Sequence, residues 1–417
     1  MSYNDVISNA SNFAILPFIR VTAKGIGKEC HKPPMMSYND VISNASNFAI
    51  LPFIRVTAKG IGKSAEFTGF TPYSRLSRSM NTNNTICPQY ENVSFFCPTE
   101  RTFGKRVSMY FFLVACTTVT IFGNLGIIIS ITHFKQLHSP TNFLILSMAA
   151  TDFFLGLIIM PYSMVRSVER CWYFGNLFCK IHYSFDLMLS VISIFHLCSI
   201  AIDRFYAVCD PLHYHSKMTI SVIKRMVFFC WSLPAIFAFG VVITNSHVSG
   251  IDGYEILVEC FNLCPITFNK LWSVIMFFAC FFAPGSVMVG IYIKIFIVSQ
   301  KHSKILKNMT GKPKEEVTTQ LSKKQDRKAA KTLGIVMGVF ITCWLPVFIT
   351  IIIDPFFNFS TPEVLFDALN WLGYINSTCN PLIYGFFYPW FRKALKYIIL
   401  GKIFDPHSCT ANLCENH

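Results

Sequence analysis

Charge is what this sequence has least of. Asp, Glu, Lys and Arg together make up 14% of its 417 residues and only 22 of them are acidic, while hydrophobic side chains reach 53%. So small a polar complement cannot coat the surface of soluble domains of this combined length. A secretory leader is missing too, because the apolar stretch Ala14 to Ile19 is short and no basic start precedes it. Lys is absent from Glu363 to Tyr388, which excludes a Schiff-base chromophore in the last apolar segment. No repeat links the apolar segments, which argues against a transporter. The two acids inside those segments, Asp152 and Asp186, lie at different depths and lack a glycine-flanked catalytic motif, so an intramembrane aspartyl protease is excluded and the chain is not read as an enzyme.

What is present is seven long apolar runs, centred near Ile121, Leu155, Leu189, Phe237, Phe281, Val339 and Gly373. Each is long enough to cross a bilayer as a helix, which takes roughly 20 mostly apolar residues. A lone strand facing lipid cannot satisfy its backbone, so the fold class is all-α: a seven-transmembrane helix bundle. The expected spans are Val107 to Phe134, Asn142 to Val165, Asn176 to Val208, Val222 to Asn245, Thr267 to Ser299, Asp326 to Ile353 and Glu363 to Tyr388. From Trp390 to Leu400, Phe391, Leu395, Ile398 and Ile399 alternate with Arg392, Lys393 and Lys396, the pattern of a short amphipathic helix lying on the membrane surface. The organisation is therefore a tail over 1–106, the seven-helix bundle over 107–388 and a surface helix with a second tail over 389–417.

The net charge of +14 belongs largely to the loops after the first, third and fifth spans, and to Lys301–Lys331 above all. Positive loops face the cytoplasm. The excess thus implies membrane topology, with membrane lipid and not nucleic acid as the partner. Ser246 to Thr267 carries Asp252, Glu255 and Glu259 and no Lys or Arg, and so faces out. Alternation puts the N-terminus outside; Arg101, Lys105 and Arg106 run against that trend and are outvoted.

Residues Met1 to Lys28 recur unchanged at Met36 to Lys63. Two units this short bury no core, so a duplicated exon or gene-model error, and a disordered tail, are expected. Asn83 and Asn92 begin glycosylation sequons in the same tail.

An acid at the centre of a span costs about 2.5 to 3.5 kcal/mol, so Asp152 and Asp186 need a purpose. Asp186 precedes Arg204 by eighteen residues, five full turns, which sets both on one face of span three about 27 Å apart. No Lys or Arg is expected in the outer halves of the other spans to pair with Asp186, which leaves a ligand ammonium as its counter-ion. Aromatic faces attract a cation, and Trp344, Phe348, Trp371 and Tyr374 are candidate walls, with Leu187, Met276, Phe277 and Ile351; the Tyr374 hydroxyl is placed to bind the Asp186 carboxylate. Span five offers Met276, Phe277 and Cys280 there, without Ser or Asp, which favours an apolar alkyl or aryl amine over a catechol. Binding to an ionised Asp186 should fade in acid. Asp152, Ser193, Asn376 and Asn380 form a second polar group, suited either to a sodium ion or to a water network. No other cofactor is called for.

Cys179 and Cys264 lie where oxidation is expected and would tie a loop over the pocket. Cys97 with Cys260 is a second candidate bridge, for which Cys87 competes.

Gly123-Asn124, Leu146-Ser147 with Asp152, Asp203-Arg204-Phe205, Trp231, Pro284, Cys343-Trp344-Leu345-Pro346 and Asn380-Pro381-Leu382-Ile383-Tyr384 occur in the order and spacing of a rhodopsin-like G-protein-coupled receptor, which the chain resembles from about Cys97 onward. Within that class, Asn376-Ser377-Thr378-Cys379-Asn380-Pro381 and Tyr388-Pro389-Trp390-Phe391 are similar to the signature of the trace amine-associated receptors. The resemblance implies that Asp186 is the amine counter-ion and that Cys179 pairs with Cys264 and a tail cysteine with Cys260. It further implies small primary amines as ligands, olfactory neurons as the site, and a stimulatory heterotrimeric G protein raising cyclic AMP. It gives switch roles to Asp203, Arg204, Asp326, Tyr292, Trp344, Pro346, Asn380, Pro381 and Tyr384, and G-protein contact to Leu212 and the basic loop. Phe205 in place of Tyr, and Val347 where many amine receptors have an aromatic, depart from the wider pattern.

Overall fold

The computed structural model describes residues 101–259, 263–308, 316–411 and 413, with backbone alone for 302–333. The duplicated segment, Asn83, Asn92, Cys87, Cys97 and Cys260 lie outside the described residues, as does the side chain of Asp326.

Eight helices make the frame: α1 Phe103–His133, α2 Pro140–Glu169, α3 Asn176–Cys209, α4 Ile220–Ile243, α5 Lys270–Lys301, α6 Glu316–Ile353, α7 Glu363–Phe387 and α8 Pro389–Ile399. The first six contain windows apolar enough to span a bilayer; α7, 25 residues long, is diluted by the polar run Asn376, Ser377, Thr378 and Asn380 and completes the seven. Sequence sets the starts. Ser139, Thr219 and Asn269 cap α2, α4 and α5 by accepting from the backbone N–H three residues on. Gly175, at φ +79°, makes the left-handed step into α3.

Most spans run close to their expected bounds; α6 begins ten residues before the expected Asp326, at Glu316, and α2 carries the consequential difference. It continues past Val165 through Arg166 to Glu169 and ends on Arg170 in a left-handed conformation. Apolar patterning stops at Val165, but a helix ends where its backbone finds other partners, so a charged turn is carried into the bundle. Arg166 there overturns the expectation that no cation occupies the outer half of another span. Wide turns at Leu155–Ile159 and Met276–Phe282 bend α2 and α5 just before Pro161 and Pro284. Proline supplies no N–H to the preceding turn, which lets the ladder open there.

α3 is the axis of the bundle, with 72% of its apolar window buried against 28% for α4 and 22% for α5. The outward faces are lipid-facing in composition: Phe111, Phe122, Ile236 and Phe386 are exposed. α8 turns its Phe391 and Ala394 inward. Beyond it the tail returns to the α1–α2 turn, where His133 Nε2 meets Ser408 Oγ at 3.0 Å and the Leu413 amide donates to Gln136 at 2.8 Å.

Candidate functional site

At one end of the bundle Cys179 at the start of α3 is bonded to Cys264, with Cα atoms 5.8 Å apart, and the pair packs among Trp172, Tyr162, Phe174 and Phe178. Cys171, buried beside them, is also disulfide-bonded, a bridge that sequence reading missed because it sits directly after a span.

Below this end lies Asp186, 6% exposed. Tyr374 of α7 donates to its Oδ2 at 2.6 Å, and Ser163 of α2 contacts the Tyr374 hydroxyl at 3.4 Å. The aromatic floor is built by α5 and α6: Phe348 stacks on Phe281 at 4.8 Å and tilts against Trp344 at 5.8 Å. Phe281 was not singled out from the sequence, although it stands one residue past Cys280. Leu187, Met276 and Cys280 are buried in the same core, and Phe277 and Ile351 pack at its edge. Trp371 stands edge-on to Tyr374 at 5.3 Å and turns its indole N–H to Ser167 of α2 at 3.1 Å. Val347 is buried, filling with a small side chain the place of a ring.

Three ion pairs crowd the same end: Arg106–Glu169 at 2.6 Å, Arg170–Glu363 at 2.5 Å and Arg166–Asp367 at 3.8 Å. The first accounts for a basic residue that ran against the charge pattern, since Glu169 of α2 accepts from both Arg106 and the Tyr110 hydroxyl of α1.

Midway down, Asp152 accepts from Ser193 at 3.2 Å, Ser377 at 2.7 Å and Asn380 at 2.7 Å. Ser377 takes a place that sequence reading gave to Asn376; the Asn376 Nδ2 is buried without a partner among the described residues. No group of three or more His, Cys, Asp or Glu suited to a transition metal occurs among the described residues.

At the other end Arg204 is tied to its neighbour Asp203, Nη2 to Oδ2 at 2.5 Å. Asp203 is fully buried and also accepts from Thr141 and Tyr214 at 2.8 and 3.0 Å. Arg204 reaches Thr141 as well. Thr141 was missed because it stands at a span's edge. A small cavity here is lined by Arg204, Thr141, Met288, Phe340, Tyr384 and Tyr388. Tyr292 rests on Gly334 of α6 so tightly that a Cβ there would lie 2.8 Å from its Cζ. Leu212, in the adjoining loop, is 91% exposed.

A buried carboxylate over an aromatic floor, a polar hub at mid-depth and a held Arg at the far end reproduce one family's pattern across all seven helices. Residues 123–384 match the 7 transmembrane receptor (rhodopsin family) model. Mouse trace amine-associated receptor 2 is 63% identical over 78% of the chain and 94% of its own length. Mouse trace amine-associated receptor 3 is 66% identical over 78% and 95%, and the human receptor 2 is 64% identical over 78% and 90%. The chain belongs to the trace amine-associated receptors of the rhodopsin family. As a member it is a multi-pass membrane protein and a G-protein-coupled receptor, which transmits a signal and catalyses no reaction.

Proposed function

We propose that this receptor binds small primary amines at Asp186, with its N-terminus outside the plasma membrane, and couples to a stimulatory G protein that raises cyclic AMP, in olfactory neurons. The observation that carries the reading is the Asp186–Tyr374 hydrogen bond within a wall of Trp344, Phe348 and Trp371. The carboxylate is oriented by neutral hydroxyl donors, Tyr374 foremost, and left without a cation in hydrogen-bonding distance, in surroundings where an unpaired charge is costly. A ligand ammonium supplies the missing charge, and the ring faces stabilise it. Met276, Phe277 and Cys280 give the rest of the ligand an apolar seat, which favours alkyl and aryl amines. The names of the relatives cited above support the same class.

Activation follows from differential binding of the two states. An amine bridging Asp186 to the floor shifts Trp344, which sits two residues before the helix-bending Pro346. The outward swing of α6 then takes Gly334 away from Tyr292, and Arg204 leaves Asp203 for the G protein, with Asp326 as a second resting partner on α6. Tyr292 and Tyr384 fill the opened space, while Leu212 and the basic loop meet the G protein. Asn380 and Pro381 hold α7 in register with the polar hub.

The oxygens at Asp152 suit a sodium ion: a carboxylate, the Ser193 and Ser377 hydroxyls and the neighbouring amides of Asn376 and Asn380 form a hard donor set. Sodium should weaken agonist binding, and Asp152→Asn should remove that dependence. Carbohydrate at Asn83 and Asn92, and a Cys97–Cys260 bridge, belong to the same extracellular face.

The test is cyclic AMP in cells expressing the chain, or a form starting at Met80, challenged with primary, secondary and tertiary amines while surface receptor is counted. Asp186→Ala, delivered to the surface, should lose the response to primary amines by about a hundredfold or more in potency. A response that survives Asp186→Ala sinks the site. Silence from well-expressed wild type turns the reading to a non-amine ligand of the same fold or a different G protein.

A further inference from the structure

Among the ion pairs at the disulfide end, Arg166–Asp367 is the open one. Its Nη2 to Oδ1 distance of 3.8 Å is outside hydrogen-bonding range, while Arg106–Glu169 and Arg170–Glu363 close at 2.6 and 2.5 Å. The Arg166 and Asp367 side chains are nonetheless only 11% and 16% exposed. A guanidinium carries five donors in a fixed fork, and Arg166 makes no hydrogen bond among the described residues. None of its nitrogens is among the sealed, unpartnered polar atoms, so each keeps some contact with solvent. A mostly buried cation whose donors make no protein hydrogen bond relies on the little water that reaches it, or on an incoming acceptor.

Its position says what that could be. Arg166 follows Ser163 by three residues on α2, and Asp367 precedes Tyr374 by seven on α7. Ser163, Tyr374 and Asp186 form one chain of contacts. At 1.5 Å of rise per residue the charged pair therefore stands roughly 5 to 10 Å above the amine counter-ion, along the same seam between the same helices. Ser167 and Trp371, bonded to each other, join α2 to α7 beside the pair.

We propose that Arg166, kept extended by Asp367, is a second recognition point of the amine site and selects amines whose far end carries a carboxylate or a comparable anionic acceptor. The proposal rests on the amine reading given above. An incoming carboxylate meets both arms of the fork at once, which Asp367 at its present distance does not, and Arg is the side chain best matched to that geometry. Asp367 serves as a placeholder that neutralises Arg166 until the ligand arrives. The alternative, in which Asp367 receives a second ammonium, would leave the Arg166 charge still unmatched and add a cation beside it.

The probes are phenethylamine, its para-carboxylate, the methyl ester of that acid and a long aliphatic diamine, applied to surface-counted full-length receptor. The para-carboxylate should be about tenfold or more potent than phenethylamine and the ester. Arg166→Gln should erase that preference while phenethylamine potency stays within about threefold, and Arg166→Lys, which keeps the charge without the fork, should restore part of it. Asp367→Asn should strengthen the preference by releasing the placeholder. Equal potency of acid and ester overturns the proposal, as does a preference that persists in Arg166→Gln. A preference for the diamine that Asp367→Asn abolishes overturns it in favour of a second ammonium site. A phenethylamine response that needs Asp186 but shows no preference for the acid sinks this proposal alone, whereas silence toward all four amines sinks the amine reading and this one with it.

Discussion

The Trp344 indole lies against Gly373 so closely that a Cβ on residue 373 would stand 3.0 Å from its Cζ3. The indole Nε1 has no hydrogen-bond partner among the described residues. The seat of Trp344 is thus defined by shape, through the missing side chain of a glycine on the facing helix, and no polar bond holds it there.

Gly373→Ala should therefore unseat Trp344. We expect basal signalling to rise by about twofold or more at equal surface expression, since a few tenths of an ångström of overlap costs about 1 kcal/mol or more and falls on the resting state. Cyclic AMP without ligand reads it. Unchanged basal activity and unchanged amine potency would show that Trp344 has room to yield.

Tyr292 and Gly334 make the matching contact at the Arg204 end, where a Cβ would overlap the phenol ring itself. Gly334→Ala cannot be absorbed without moving Tyr292 out of its resting place. The expected result is a raised basal signal in Gly334→Ala, while Tyr292→Phe alone, which is nearly isosteric, stays at the wild-type level. A Gly334→Ala receptor as quiet as wild type would mean that Tyr292 rotates away at no cost to the closed state.

His247, in the loop after α4, is buried against Tyr183, Tyr254 and Phe268, and its Nδ1 bonds the Val241 carbonyl. Burial holds its pKa down at about 4, from an ordinary 6.5, and the nearby Lys180 adds to the effect. The packed loop thus favours the neutral ring, and the opened loop takes up the proton first. The loop's stability is fully present above pH 6.5 and is lost as pH falls from there toward 4. Opening should become about tenfold more favourable at pH 5.5 than at neutrality, measured as deuterium uptake over 246–268, and His247→Phe should flatten that pH dependence. Uptake that ignores pH in the wild type would contradict it.

Ser147 joins two helices to α2. It contacts His196 Nε2 at 2.8 Å and accepts from Trp231 Nε1 at 3.0 Å, while His196 Nδ1 meets the Ile192 carbonyl at 2.8 Å. With the Nδ1 proton on that carbonyl, Nε2 accepts from the serine. Ser147→Ala leaves two ring nitrogens unpaired, that of His196 on a fully buried side chain and that of Trp231 on a half-buried one, and should cost about 1 kcal/mol or more. A lowered thermal midpoint in detergent, with amine potency retained, is the expected reading; an unaltered midpoint would show that the rings find other partners.

Much of the candidate site was legible because its parts are anomalies in lipid. Asp186 and Asp152 declared themselves as acids in apolar runs, and helical periodicity alone put Asp186 and Arg204 on one face. Arg166 was lost for the opposite reason: a charge at the end of an apolar run marks a boundary in the sequence, and only the continued helix shows it turned inward. Ser377, Thr141 and Phe281 were overlooked because they are ordinary residues made important by what faces them. Gly334 and Gly373 could not be read at all, since a glycine's role in a close approach depends on the bulk of a side chain from another helix.

By itself the sequence determined that seven helices cross a membrane, where they lie, and which polar residues needed explaining, because the bilayer penalises every unpaired backbone group and buried charge. It also carried the family's motifs in their order. Only the tertiary structure decided which groups pair: Tyr374 with Asp186, Ser377 with Asp152, Arg166 loosely with Asp367, and two tryptophan and tyrosine rings with two glycines. These pairings join residues up to 225 positions apart, and their distances follow from the rotation and depth of each helix, which packing sets and local patterning leaves open.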